Sequence, residues 1–327
     1  MTALPRPRGR LSAAVVSALR DGSALPPVTG ADPFGEDLAV ALHTCYELHY
    51  HGFAGVPAER EWDPELLAFR RSLEAVFLAA LRDAVAGGDD VTGVLDELLV
   101  EPVPGAGVSH FLRDNGEWWQ LREYFVHRSI YHHKEADPHA WVIPRLRGTA
   151  KAALVAVEYD EFGGGRGERV HAQLYADLLR ASGLDDRYLH YFDDVPGPVV
   201  AVVNMMSMFG LRRALRGAMV GHFAAAEITT APSAARLDSA LRRLGGTDAT
   251  THFFTEHIEA DAVHEQVLRH DVIGDLLDRE PELAGDVVFG VQATEYLEGR
   301  FGDHVLDAWG AGRTSLLRAL PDHPGPA

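Results

Sequence analysis

The sequence holds a single cysteine, Cys45, in 327 residues. One thiol excludes an intrachain disulfide, a Cys-based zinc site and an iron–sulfur cluster, and it makes the cytoplasm the expected compartment. Long apolar runs are missing too. The best stretch, Val199 to Leu211, contains Asn204 and stops at Arg212-Arg213, short of the roughly 18 residues that a membrane span needs. Basic residues are scarce, with 30 Lys plus Arg against 48 Asp plus Glu, for a formal charge of −18. That excess repels phosphate backbones and anionic lipid, so neither nucleic acid nor a membrane is an expected partner. The common catalytic motifs are also absent: there is no G-x-S-x-G, Walker A, C-x-x-C or H-E-x-x-H. The Gly163–Gly167 cluster lacks dinucleotide-binding spacing and follows no strand, so it reads as a break between helices.

What is present is enough apolar material, 46% of residues, for a sizeable core, and helical spacing nearly everywhere. Residues 1–33 are rich in Pro, Arg and Gly and read as a flexible arm carrying one short helix. Arg6, Arg8 and Arg10 ahead of Leu11–Leu19 loosely imitate a signal peptide, but a surface helix is the simpler reading. The core domain is expected over 34–315, followed by a tail over 316–327. Helices are expected over 37–53, 63–85 (Asp63 capping, Pro64 in the first turn), 109–133, from 138 to 161, 168–181, 198–229, 233–244, 250–275 and 281–308. Strand alternation is nearly absent. The expected fold is therefore all-α, one domain with about seven core helices.

Seventeen histidines stand among the acids. On a helix, His257, Asp261 and His264 fall at i, i+4 and i+7, within an arc of about 60°, so one face offers two imidazoles and a carboxylate to a divalent metal. Glu227 lies among small and apolar residues, where an unpaired carboxylate is costly and a metal would neutralise it. Glu135 ends one helix ahead of Pro138. Glu161 precedes the triple glycine and His171 follows it. On an unbroken helix those two would stand about 80° apart, so the glycines could turn both toward one centre. By spacing alone Glu158, Asp160, His132 and His139 compete with Glu135, Glu161 and His171.

The ordered set Glu135, Glu161-x9-His171, Glu227 and His257-x3-Asp261-x2-His264 resembles the metal-ligand pattern of the haem-oxygenase-like di-iron oxidases and oxygenases. Bacterial members are often labelled iron-containing redox enzymes. Similar flanking text includes Leu48-His49-Tyr50-His51-Gly52-Phe53, Lys134-Glu135-Ala136-Asp137-Pro138-His139 and Ala260-Asp261-Ala262-Val263-His264-Glu265. The resemblance spans roughly 36–310. It implies a haem-oxygenase-like helical bundle, often a homodimer, with those seven residues holding two Fe ions that are ferrous before O2 and need an external reductant. The implied activity is O2-dependent oxidation of a small amine, amino acid or acyl substrate by N-oxygenation, desaturation or oxidative C–C cleavage, in a biosynthetic pathway. Expected substrate contacts are Tyr131, His132, Phe162, Met205, Met208, Phe209 and Phe223. The alternative is a non-catalytic metal-binding or partner-binding protein of the same fold.

Overall fold

Asp63 accepts hydrogen bonds from the Glu65 and Leu66 amides at 2.9 and 3.3 Å, so the expected helix starts at Pro64. The computed structural model describes residues 2–101 and 103–321, and of 259–262 it describes the backbone without the side chains. Asp261, expected as a ligand, therefore has its side chain outside the described residues.

The helices run in the order α1 (Arg10–Asp21), α2 (Glu36–Glu47), α3 (Pro64–Ala84), α4 (Val91–Leu98), α5 (Val108–Asp114), α6 (Trp118–His132), α7 (Asp137–Ala140), α8 (Gly148–Glu161), α9 (His171–Ala181), α10 (Gly197–Leu211), α11 (Arg216–Arg243), α12 (Asp248–Gln266), α13 (Gly274–Arg279) and α14 (Ala284–Gly310). Among the described residues there is no strand, only an isolated bridge between Thr2 and Phe53. The fold is all-α, as the periodicity implies.

Several expected boundaries move. The segment over 109–133 is two helices, α5 and α6, parted near Gly116. The stretch from 138 to 161 is broken near Pro144 and at Gly148 before α8 begins. The helix expected over 198–229 breaks at Arg212, which is extended (φ −97°, ψ 109°), and α11 then continues through Pro232 into the residues expected as a separate helix. The helix expected over 250–275 becomes α12, a π-helical segment at Val267–Ile273, and α13.

The segment expected to be a loose arm is packed on the bundle. Leu11, Val15, Val16 and Leu19 of α1 are buried. Asp37 of α2 accepts from the Leu11 and Ser12 amides at 2.9 and 2.7 Å, while Arg8 donates to the carbonyls of Val195 and Phe192. Around the site, α11 packs against α12 and α14, α12 against α9, and α6 against α9 and α10. Together with α8 against the π-helical segment that follows α12, these pairings bring together the C-terminal ends of α6 and α8, the start of α9, the middle of α11 and the C-terminal half of α12.

Candidate metal centre

Two features of the backbone aim the first carboxylates. Glu135 follows the end of α6, and the next residue, Ala136, is fully buried with φ 74°, a conformation strained for a side chain with a Cβ. The neighbouring Lys134 is buried as well, its Nζ donating to Glu47 Oε2 at 2.6 Å. Tyr188 donates its hydroxyl to the same carboxylate at 2.9 Å, which fixes the turn that presents Glu135. After α8, Gly163, Gly164 and Gly165 all have positive φ (73°, 61° and 80°). A Cβ on Gly163 would lie 2.6 Å from the Arg169 carbonyl carbon, so only glycine lets the chain double back to bring His171 beside Glu161.

Six of the seven expected ligands gather in two buried trios. Ligand atoms of Glu135, His171 and His257 lie within 4.8 Å of one another, and so do those of Glu161, Glu227 and His264. The trios adjoin through Glu161, whose Oε2 stands 2.8 Å from His171 Nδ1 while its Oε1 stands 3.6 Å from His264 Nδ1. One carboxylate thus faces both groups with different oxygens.

The two α12 imidazoles of the trios, His257 and His264, are each oriented by their other nitrogen. His257 Nδ1 donates to the Phe253 carbonyl at 2.7 Å, which leaves Nε2 toward Glu135 at 3.5 Å. His264 Nε2 donates to Asp160 at 3.3 Å, and its Nδ1 lies 3.1 Å from Glu227. An acceptor behind each ring is the arrangement that sets the tautomer of a metal-ligating histidine. His132 places Nδ1 2.9 Å from Glu135. Burial opposes ionisation of Glu135, but His132 and His257 hold its carboxyl well below the usual range.

The residues fit a pair of cations. Among the described residues, the ion-pair partners of Glu135 and Glu161 are imidazoles and include no Lys or Arg. Glu135 Oε2 is buried with no hydrogen-bond partner, and His171 Nδ1 approaches Glu161 without hydrogen-bond alignment. Such atoms point at a common centre rather than at each other. Carboxylate plus imidazole is also a donor set suited to divalent iron, manganese or zinc.

A family model described as iron-containing redox enzyme matches residues 122–299, more than half of the chain. The chain belongs to that family. All seven expected ligands lie in the matched region, and the all-α architecture is the haem-oxygenase-like one. Among curated proteins, nitrosourea synthase from Streptomyces achromogenes subsp. streptozoticus is 25% identical over 159 residues, covering 48% of this chain and 34% of that protein. The aligned part is thus about a third of that relative's length. No described helix is long and apolar enough to cross a membrane.

The expected substrate contacts are scattered. Met205, Met208, Phe209 and Phe223 are buried in the apolar core, and His132 is packed between Tyr175 and Phe253. Phe162 is half-buried just past α8. Tyr131 packs against both apolar clusters. Burial, then the charges of Glu135, Glu161, Glu227 and Glu158, push its phenol well above the ordinary range. A cavity of about 890 Å³ lies elsewhere, lined by residues that include Leu4, His43, His51, Phe53, His133, Val170, Ala172 and Tyr188, with none of the seven expected contacts. Val170 and Ala172, which flank His171 in the chain, and His133, two residues before Glu135, line this cavity, while Glu135, His171 and His257 themselves do not. Periodicity gave no hint of it, because its lining comes from seven separate stretches of chain that only the tertiary fold assembles.

Proposed function

We propose that this protein is a non-haem di-iron oxidase or oxygenase that uses O2 to oxidise a small amine, amino acid or acyl compound in a biosynthetic pathway. The observation that carries the reading is the adjoining pair of buried trios shared through Glu161. Glu135, His171 and His257 would hold one iron and Glu161, Glu227 and His264 the other, with Asp261 proposed beside the second group on its sequence spacing. Bound ferrous ions would supply electrons for O2 reduction, and an external reductant would restore them.

The chain's own residues supply positioning and shelter. Phe253 and Asp160 lock the two α12 imidazoles in the ligating orientation. Tyr175, Phe253 and Tyr131 pack their rings against His132, which itself lies 2.9 Å from Glu135, and exclusion of water there strengthens that electrostatic contact. The cavity beside His171 is the proposed substrate entrance. The relative's name, a nitrosourea synthase, favours a nitrogen-containing substrate within the proposed range. We further propose a cytoplasmic location, on the single buried cysteine, and a homodimer, on the resemblance.

Anaerobic titration of the metal-free protein with Fe2+ tests this. Saturation is expected near two ions per chain, followed by O2 uptake on aeration in the presence of a panel of amines, amino acids and fatty acids. Glu135→Ala should retain about one ion. Glu161→Ala should retain less than one, because it faces both positions. Absence of saturation near two, or two bound ions with no O2 uptake across the panel, would sink the proposal.

A further inference from the structure

Glu158 lies one turn before Glu161 on α8, where residues three apart are near neighbours. Its side chain is only 2% exposed, and both carboxylate oxygens are buried without a hydrogen-bond partner. Buried carboxylates are normally matched by a donor or a cation, since removing one from water without a partner is costly. Burial first, and then the charges of Glu161, Glu227 and Asp137, push its carboxyl well above the ordinary range, and among the described residues no positive charge offsets them. The i,i+3 spacing puts Glu158 on the Glu161 side of α8, buried like the members of the second trio, though outside the 4.8 Å grouping of Glu161, Glu227 and His264. Asp160, two residues on, is different: it is largely exposed and already occupied by His264 Nε2.

We propose that Glu158 is a further carboxylate of the second cation position, contacting the ion held by Glu161, Glu227 and His264 directly or through one water when the site is loaded. This rests on the two-metal reading above. A cation at that position supplies the positive charge that the protein itself withholds from Glu158, and it explains why an acid with two orphan oxygens is placed in the interior beside two others.

The test uses metal-free full-length protein and Mn2+ as the probe, followed by isothermal titration and by electron paramagnetic resonance. Wild type should bind two Mn2+. Glu158→Gln should keep the first equivalent within about twofold, weaken the second at least tenfold and alter its resonance spectrum. Glu158→Asp, which keeps the charge on a shorter stem, should shift the second affinity by a smaller factor and guards against a Gln variant that fails to fold. Unchanged second affinity and spectrum in the folded variants would overturn the assignment of Glu158 alone. A wild type that binds fewer than two Mn2+ would overturn the two-metal reading and this proposal with it.

Discussion

His222 is buried on α11 and shares a hydrogen bond with Thr294 Oγ1 at 2.8 Å, an arrangement that suits a neutral ring. Burial pushes its imidazole down to about 4, with Glu298 acting in the opposite sense. Unfolding returns it to about 6.5, so the unfolded chain takes up the extra proton as pH falls, and the native state loses stability in that direction. The contribution is complete above about pH 6.5 and declines as pH drops toward 4. A Gln at this position does not titrate. In the metal-free protein, the stability difference between wild type and His222→Gln is therefore expected to shift by about 2 kcal/mol against wild type between pH 7.5 and pH 5. Urea unfolding at the two pH values checks it, and a pH-independent difference would contradict it. At this scale the sequence was informative where chemistry is local. The spacing of His257 and His264 places both on one side of α12, and both reach the site. It could not separate Glu158 from Glu161, because both are interior, at 2% and 3% exposure, and only the fold decides which one meets His171.

The helix pair α11 and α14 sets where Glu227 and His222 sit, and glycines set how closely the pair packs. A Cβ on Gly221 would lie 2.1 Å from the Val287 carbonyl oxygen, and one on Gly290 would lie 2.1 Å from the Ala218 carbonyl oxygen. Each helix thus rests a glycine against the other's backbone. Gly221→Ala gains about 1 kcal/mol of helix propensity but must push two backbones apart, so a net loss of about 1–3 kcal/mol is expected. Gly299 on the same α14 is exposed with nothing near its missing Cβ, and Gly299→Ala should be neutral or stabilising by up to about 1 kcal/mol. Thermal unfolding of the two variants should move Tm in opposite directions or leave Gly299→Ala unmoved, and a stabilised Gly221→Ala would refute the close contact. Helix existence was legible at this scale because apolar spacing is a local signal. Helix breaks were less so: Pro232 lies inside α11, whereas the chain turns at Arg212, which carries no breaker of its own.

At the scale of the molecule, the N-terminal residues belong to the bundle. Their composition suggested solvent, but Arg8 places its charge on backbone carbonyls and on Glu36, and the apolar side of α1 packs on α2. Leu4 and Pro5 then wall the cavity lined by Val170 and Ala172, so docking of α1 also shapes the proposed substrate entrance. Asp37 is the clasp. It accepts from two α1 amides and from Ser12 Oγ at 2.7 Å, acting as an N-cap supplied by another helix. Replacing it removes three charge-assisted hydrogen bonds from a partly buried junction, for which about 2 kcal/mol is a reasonable scale. Asp37→Ala should therefore lower Tm by several degrees and release α1 first, because α1 is joined to the rest of its chain by the Pro-rich stretch 23–33 rather than by a continuous helix. Trypsin under native conditions should then cut at Arg20, which lies in the last turn of α1, faster than in wild type by at least tenfold. Equal cleavage rates would mean that the apolar contacts of α1 and the Arg8 hydrogen bonds hold it without Asp37, and that the pairing around Asp37 adds nothing to the docking.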